Sequence, residues 1–257
     1  MSFRYVSVED AIECSGLRMV VVGGVPSPLG RGGEGHPVHI KGIEWVAVRL
    51  AHDSEPMLQW AGQRSGPVAI YDQERPRSGC AEILLLAERL APAPALLPAD
   101  PFERALVFGL GHEICGESGL GWSRRLQLVH AGLHGAGGFP ERVAKYLSGK
   151  YGYRPETGAD HGARVAALLP MLAARLKAQQ AAGSRYYIGH SLTAADVYSA
   201  TVLALFGPLP QQQCEMHAGT RAAFETRDAQ TDAALDSILL AHRDMMYAQH
   251  LALPLSL

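Results

Sequence analysis

The sequence lacks an apolar run long enough to cross a membrane. A transmembrane helix needs about 20 consecutive apolar residues, whereas the apolar stretch near the amino terminus covers only residues 19 to 25. The first ten residues are interrupted by charge, which is not typical of a targeting segment. We therefore expect a cytoplasmic protein without a membrane partner.

The sequence also lacks closely spaced cysteines. Its four cysteines, Cys14, Cys80, Cys115 and Cys214, are far apart and form no Cys-x-x-Cys motif. Disulfide-stabilised small domains and zinc knuckles need denser spacing. Two histidines four residues apart, at 130 and 134, have no third ligand beside them. We expect reduced thiols, surface histidines and no metal site.

An excess of charge of one sign is absent as well. The 23 Lys and Arg residues nearly balance the 25 Asp and Glu residues, for a formal net charge of -2. A protein that binds nucleic acid needs a strongly basic face to neutralise phosphates. The balance therefore predicts no nucleic-acid partner.

Apolar residues make up 47% of the 257 residues, which is enough for a substantial core. In the first hundred residues, short apolar runs predict strands at residues 17 to 25, 43 to 50 and 67 to 71. A helical pattern follows at residues 81 to 90. This order predicts a small α/β unit.

A proline-rich passage at residues 91 to 101 predicts a linker, because neither a helix interior nor a strand interior tolerates repeated proline. Beyond it, apolar residues recur at helical spacing in a bundle-like pattern, over residues 102 to 110, 165 to 182, 194 to 206 and 233 to 251. Pro170 should kink or divide the second of these helices. We expect a first domain at residues 1 to 92, a linker at 93 to 100 and a helical domain at 101 to 257.

One helix start is predicted in detail. The Thr193 hydroxyl and the Asp196 carboxylate have the spacing of a capping box, in which each side chain bonds to the backbone amide of the other residue. Leu192 and Val197 occupy the positions of a hydrophobic staple. We expect a helix to begin at residue 194.

The motif LTAADVY at residues 192 to 198, together with this domain order, resembles the glutathione transferase superfamily. KGIEW at residues 41 to 45 is similar to the family's turn before its second strand. GPVAIYD at residues 66 to 72 is similar to the strand that opens with a cis-proline. The resemblance implies a thioredoxin-like α/β domain followed by an all-helical glutathione-transferase-type domain. It also implies a homodimer.

The segment GRGGEG at residues 30 to 35 matches a dinucleotide-binding fingerprint, and Asp53 follows it as the expected acidic residue. However, two prolines separate Val25 from Gly30, and Pro37 lies where the helix of that motif should run. We therefore disfavour a nucleotide site. In the resemblance, PSP at residues 26 to 28 occupies the turn that carries the residue facing the sulfur of glutathione.

The resemblance implies that Ser27 donates a hydrogen bond to the glutathione sulfur, because a thiolate is the nucleophile and needs stabilisation near neutral pH. It implies a tripeptide site lined by Gly66, Pro67, Val68, Ser78 and Gly79. The Ser78-Gly79 pair departs from the family's acidic or glutamine residue followed by serine, since Gly79 has no hydroxyl.

The second substrate, a small electrophile, is expected against the first helices of the bundle. The candidates are His112, Glu117, Trp122, Arg124 and Arg125. Arginines there could hold an acidic substrate. The alternative is that Trp122 packs in the bundle and the two arginines are solvated.

We therefore expect a glutathione-dependent transferase that uses glutathione as co-substrate. Two alternatives stay open. One is a binding or interaction protein of the same fold without transferase activity, and the other is a glutathione-dependent lyase or isomerase.

Overall fold

The computed structural model describes residues 5–23, 37–51, 53–251 and 253–255. Five strands form one mixed sheet with the spatial order β1-β3-β2-β4-β5. Their bounds are β1 (Tyr5–Val6), β2 (Leu17–Val21), β3 (Trp45–Arg49), β4 (Val68–Tyr71) and β5 (Arg77–Ser78). Strands β1 and β2 run parallel to β3, whereas β4 runs antiparallel to both β2 and β5. The sheet has the expected thioredoxin-like architecture with β1 added at one edge.

Helices cover both faces of this sheet. On one face lie α1 (Val8–Glu13) and α3 (Glu55–Ala61), and on the other lie α2 (Pro37–Ile40) and α4 (Cys80–Leu90). Side chains alternate across a strand, so Val20 of β2 packs toward α1 and α3, while Met19 and Val21 pack toward α4 and the helices that follow. Because both faces are covered, all five residues of β2 are buried.

The second part of the chain is helical, as the apolar spacing predicted. Its helices are α5 (Pro101–Cys115), α6 (Leu120–Leu133), α7 (Glu141–Tyr151), α8 (Asp160–Ala181), α9 (Ala194–Leu203), α10 (Ala218–Glu225), α11 (Ala229–Ala234) and α12 (Ser237–Gln249). Helix α9 is buried at every position and packs against α5 and α12, which makes it the centre of the bundle. Across the described ranges, no helix combines the length and apolar character of a membrane span.

The structure excludes one of the two expected effects of Pro170, the division of the helix. Helix α8 runs unbroken through Pro170 for 22 residues, so the proline does not divide it. Pro170 lies on the exposed face, whereas its neighbours Leu168, Leu169 and Leu172 are buried in the core. Packing of that apolar face holds the helix together despite the missing backbone donor.

The last predicted helix is two helices. The pattern at residues 233 to 251 predicted one, but α11 ends at Ala234 and α12 begins at Ser237. The carboxylate of Asp236 accepts a hydrogen bond from the amide of Ile238 at 3.0 Å and thereby caps α12. Helix capping by a short acidic side chain explains the break, which the apolar spacing did not reveal.

The predicted capping box is present at the start of α9. Asp196 accepts hydrogen bonds from the amide of Thr193 at 2.9 Å and from the amide of Tyr187 at 2.8 Å. Residues 91 to 100 adopt neither helix nor strand. The Nζ of Lys41 holds this passage by donating to the carbonyl oxygens of Ala91 and Pro94, at 2.7 and 2.8 Å. The exact domain boundaries stay a prediction.

Candidate functional site

A cavity of about 610 Å³ lies between the sheet and the helical part. One wall comes from the segment before β4 and from the first turn of α4, and includes Gly66, Pro67, Ser78, Gly79, Cys80 and Glu82. The opposite wall comes from α5 and the start of α6, and includes Phe108, Gly111, His112, Cys115, Glu117 and Trp122. Seven of the expected site residues therefore line one cavity: Gly66, Pro67, Ser78, Gly79, His112, Glu117 and Trp122.

The chain enters β4 through the cavity wall. The Gly66–Pro67 peptide bond is cis, as the resemblance implied. Val68 follows directly, but it is fully buried and does not line the cavity. It pairs with Val20 of β2 and Ser78 of β5. Through this pairing the sheet places the two segments of the expected tripeptide site side by side.

The amino end of α4 forms the polar end of the cavity. Gly79 precedes the helix with φ +91°, a conformation that favours glycine. The first amides of a helix have no partner within it, and the helix dipole makes this end suitable for a carboxylate. The backbone conformation thus favours glycine at position 79. This is the position at which the family resemblance implies a serine hydroxyl.

Glu82 occupies part of this polar end. One of its carboxylate oxygens accepts a hydrogen bond from the amide of Ser78 at 3.2 Å, and the other accepts from Arg75 at 2.9 Å. The hydrogen bond from Arg75 is the main cause that lowers the pKa of Glu82, and the Ser78 amide adds to it. A carboxylate of the chain itself therefore already uses one of the amides that an incoming carboxylate would need.

Two cysteines line the cavity from different helices. Cys80 is the first residue of α4 and Cys115 is the last residue of α5. Burial raises the pKa of the Cys115 thiol, and its interaction with the nearby Cys80 thiol adds to the rise. The hydroxyl of Tyr198, on α9, donates to the carbonyl oxygen of Cys80 at 3.1 Å. Burial raises the pKa of Tyr198, so this phenol stays protonated.

One face of α5 supplies the apolar wall. Phe108, Gly111, His112 and Cys115 follow the spacing that puts residues on one helix face. A side chain at Gly111 would contact the ring of Tyr198, since a Cβ there would lie 3.4 Å from it. The cavity therefore combines a polar end, at α4, with an apolar wall, which suits a ligand of mixed character.

The residues expected for the second substrate separate into two groups. His112, Glu117 and Trp122 line the cavity, and the Trp122 ring packs edge-on against Tyr151 with a centroid distance of 4.9 Å. Arg125 does not line it, although its charge partly offsets the rise in the pKa of Cys115.

Arg124 is not a cavity residue, and it is not solvated either. It is 1% exposed, and its guanidinium donates to the carbonyl oxygens of Leu205 at 3.1 Å and Thr226 at 2.5 Å. Burial lowers the pKa of Arg124 to about 10. Arg124 joins α6 to the end of α9 and α10, so both sequence-based interpretations of this residue were wrong.

The remaining residues singled out in the sequence do not line this cavity in the described part of the chain. Ser27 and the glycine-rich stretch at residues 30 to 35 fall outside the described residues. The Nδ1 of His130 is hydrogen-bonded to the hydroxyl of Tyr153 at 2.7 Å, and its ring packs against that of His134. Within the described ranges, no group of three or more His, Cys, Asp or Glu residues has the arrangement of a metal site.

Sequence reasoning missed several cavity residues, namely Cys80, Glu82, Phe108, Cys115 and Tyr198. The helical spacing of Phe108 and Cys115 on α5 was a usable signal, because it places them on the same face as His112. The placement of Cys80 and Cys115 on one cavity had no local signal, since it depends on how α4 packs against α5.

Comparison with solved structures identifies the fold. A glutathione S-transferase domain-containing protein from Marinobacter aquaeolei VT8 is 20% identical with a TM-score of 0.61, over 90% of this chain and 98% of that one. A glutathione transferase family member from Pseudomonas fluorescens Pf-5, solved with two glutathione molecules bound, is 14% identical with a TM-score of 0.64, over 94% of both chains. The chain therefore has the glutathione S-transferase fold.

A third similar structure is a glutathione transferase from Pseudomonas putida with one glutathione disulfide bound per subunit. It is 13% identical with a TM-score of 0.60, over 93% of this chain and 91% of that one. No protein-family model matches the chain, and no curated protein matches it significantly.

Proposed function

We propose, from the premise that the chain has the glutathione S-transferase fold, that it binds glutathione in the cavity and adds or exchanges the glutathione thiolate on a small electrophile. The observation that carries the proposal is the position of Gly66 and Pro67 beside the amino end of α4, on one wall of the cavity. Glutathione is a peptide with two carboxylates and one ammonium group, so it needs both backbone partners and an anion site.

The backbone, the γ-glutamyl carboxylate and the ammonium group of glutathione each have a candidate partner. The backbone of Gly66 would pair with the backbone of glutathione, and the amides at Gly79 and Cys80 would hold the γ-glutamyl carboxylate. The Glu82 carboxylate lines the cavity and would accept from the ammonium group. Glu82 would thus be the acidic partner of the ammonium group. Ser78 cannot take this role because it has no carboxylate.

Ser27 would stabilise the sulfur anion. A thiol with its ordinary pKa is mostly protonated at neutral pH, and lowering that pKa by about 2 units needs roughly 2.7 kcal/mol of preferential stabilisation. A hydroxyl donor near the amino end of a helix supplies energy of this order. This role for Ser27 comes from the resemblance.

The electrophile would lie against the opposite wall. Phe108 and Trp122 offer apolar and aromatic surface there, and His112 is exposed beside them. Arg125 stays a candidate for steering an acidic substrate toward this wall. The homodimer and the cytoplasmic location also stay predictions, and light scattering and cell fractionation test them.

A binding protein of the same fold without transferase activity is the second candidate. The observation that favours it is the hydrogen bond between the Ser78 amide and Glu82, which competes with a bound carboxylate. A third option is thiol-dependent bond cleavage, since a β-etherase, LigF from Sphingobium, also has a similar structure with 15% identity and a TM-score of 0.55.

A thermal-shift titration separates the first two candidates. A ligand present at 100 times its dissociation constant adds about 2.7 kcal/mol to the free energy of unfolding, so millimolar glutathione should raise Tm clearly. Ser27→Ala should keep this shift but lose the ultraviolet absorbance of bound thiolate and the transfer of glutathione to an aryl halide. If wild type shows no shift at millimolar glutathione, the binding-protein candidate replaces the transferase.

A further inference from the structure

The two cavity cysteines come from different helices and line the same cavity. Cys80 is the first residue of α4, Cys115 is the last residue of α5, and these two helices pack together. Both residues line the cavity and are part-exposed to it. The remaining cysteines are elsewhere: the Cys14 thiol donates to the carbonyl oxygen of Asp10, and Cys214 is buried. Only Cys80 and Cys115, among the four cysteines, are placed to react with each other and with a molecule in the cavity.

The surroundings of the pair favour sulfur chemistry over metal binding. Tyr198 holds the backbone of Cys80 through its hydroxyl, and its buried phenol stays protonated. No third His, Cys, Asp or Glu residue of the described ranges completes a metal site around the pair. Two thiols that line the same cavity, at the ends of two helices that pack together, can form a disulfide when a suitable oxidant enters.

We propose that Cys80 and Cys115 form a redox-active dithiol that exchanges with a low-molecular-weight disulfide bound in the cavity. In the first step the Cys80 sulfur, having lost its proton, attacks one sulfur of the small disulfide. The disulfide bond breaks, and the released thiolate takes up a proton and leaves as a thiol. A mixed disulfide then joins Cys80 to the other half of the small molecule.

In the second step the Cys115 sulfur attacks the Cys80 sulfur of the mixed disulfide. The bond to the small molecule breaks, and its second half leaves as a thiol with the proton that Cys115 gave up. The small disulfide gains two electrons and two protons and becomes two thiols, while the two protein thiols become one disulfide. The reverse sequence, driven by excess small thiol, restores the dithiol.

Position assigns the two roles. Cys80 adjoins the exposed residues Ser78 and Gly79 at the positive end of α4, where an attacking anion is favoured and a ligand enters. Cys115 lies at the opposite, negative end of α5, and burial and the interaction with the nearby Cys80 thiol raise its pKa. Cys115 therefore attacks second, when the mixed disulfide has been brought against it.

The inference does not rest on the proposed function. An uncharged disulfide such as hydroxyethyl disulfide needs neither the tripeptide site nor Ser27 in order to react. If glutathione fails to bind but hydroxyethyl disulfide oxidises the pair, the transferase proposal fails and the dithiol proposal stands.

The test uses the full chain, reduced and then freed of reductant, with hydroxyethyl disulfide and with glutathione disulfide in separate reactions. We expect the loss of two of the four free thiols, an intact mass lower by two hydrogens, and a cross-linked peptide pair containing Cys80 and Cys115. A product with four free thiols, or a disulfide that maps to any other pair, overturns the proposal.

Single variants test the order of the steps. Cys115→Ser should trap the mixed disulfide on Cys80, seen as a mass increase of one half of the probe. Cys14→Ser is the matched control and should still form the Cys80–Cys115 disulfide, with the loss of two of its three thiols. If the Cys115→Ser variant keeps the circular dichroism spectrum of the wild type but carries no adduct on Cys80, the assignment of Cys80 as the attacking residue is contradicted.

Discussion

The Nε2 of His242 lies 3.1 Å from Oδ1 of Asp196, and both side chains are buried between α9 and α12. The same carboxylate accepts from the amides of Tyr187 and Thr193 and from the Thr193 hydroxyl. One carboxylate thus joins the start of α9, the segment before it and α12. Because α9 is the centre of the bundle and carries Tyr198, this network supports one wall of the cavity.

Asp196→Ala should therefore be strongly destabilising. It leaves the amides of Tyr187 and Thr193 buried without their acceptor, and each buried donor left unsatisfied costs about 1–3 kcal/mol. Asp100→Ala is the matched control, because Asp100 caps α5 at an exposed position through one hydrogen bond to Glu103 at 2.8 Å. Its loss should cost about 1 kcal/mol. Urea unfolding measures both, and equal losses would contradict this role of Asp196.

Gly79→Ala tests the backbone at the polar end of the cavity. A Cβ at Gly79 meets nothing within 4 Å, so any loss of stability comes from its φ of +91°. We expect a loss of about 1–3 kcal/mol. Gly109→Ala, in the exposed middle of α5 and also free of contacts, should instead gain up to about 1 kcal/mol. A Gly79→Ala protein as stable as wild type would show that this conformation is not required.

Adjacent arginines should respond differently to the same change. Arg124→Met leaves the buried carbonyl oxygen of Leu205 and the part-buried carbonyl oxygen of Thr226 without this donor, and we expect a loss of stability of about 2–4 kcal/mol. Arg125→Met, at a part-exposed position, should cost less than about 1 kcal/mol. If Arg125 steers an acidic electrophile, its replacement raises KM for that substrate. A larger loss of stability in Arg125→Met than in Arg124→Met would refute the placement of these residues.

Three histidines predict how stability depends on pH. Burial is the first cause that lowers the pKa of His130, His161 and His250 below the ordinary value of 6.5. As pH falls through 6.5 the unfolded chain binds protons before the folded chain does, so the free energy of unfolding decreases. The decrease ends once pH is below the folded-state pKa values. Carboxylates with lowered pKa values act in a separate window, nearer their ordinary value of 4.5.

Urea unfolding at a series of pH values over about two units around 6.5 measures this effect. The variant with all three histidines replaced by glutamine should have a flatter profile. A wild-type protein whose stability stays constant or rises as pH falls through this window would contradict the lowered pKa values.

The sequence predicted those features that depend on local patterns. The strands β2, β3 and β4 followed from apolar runs, helices α4, α5, α8, α9 and α12 from apolar spacing, and the start of α9 from Thr193 and Asp196. Pro170 does not divide α8, because packing of the neighbouring leucines outweighs the lost hydrogen bond. The burial of Arg124 could not be predicted from the sequence, because its hydrogen-bond partners, Leu205 and Thr226, lie far from it along the chain.

The candidate site was predictable only in part. The resemblance implied that Gly66, Pro67, Ser78 and Gly79 belong to one site, and the structure has all four on one wall of the cavity. Their role in binding glutathione stays a prediction. The opposite wall depends on the packing of α5 against α4 and α9, which places Cys115 on the same cavity as Cys80. Such contacts between helices leave no pattern within either helix.

The central claim is that the cavity binds glutathione, and a calorimetric titration with reduced glutathione tests it most directly. Ala81 is exposed in the first turn of α4 and lines the cavity, whereas Leu85 is exposed one turn later and does not. We predict that wild type and Leu85→Trp bind glutathione with similar Kd, and that Ala81→Trp loses binding because its indole fills the site. Equal binding by all three proteins, or no binding by wild type, would contradict the claim.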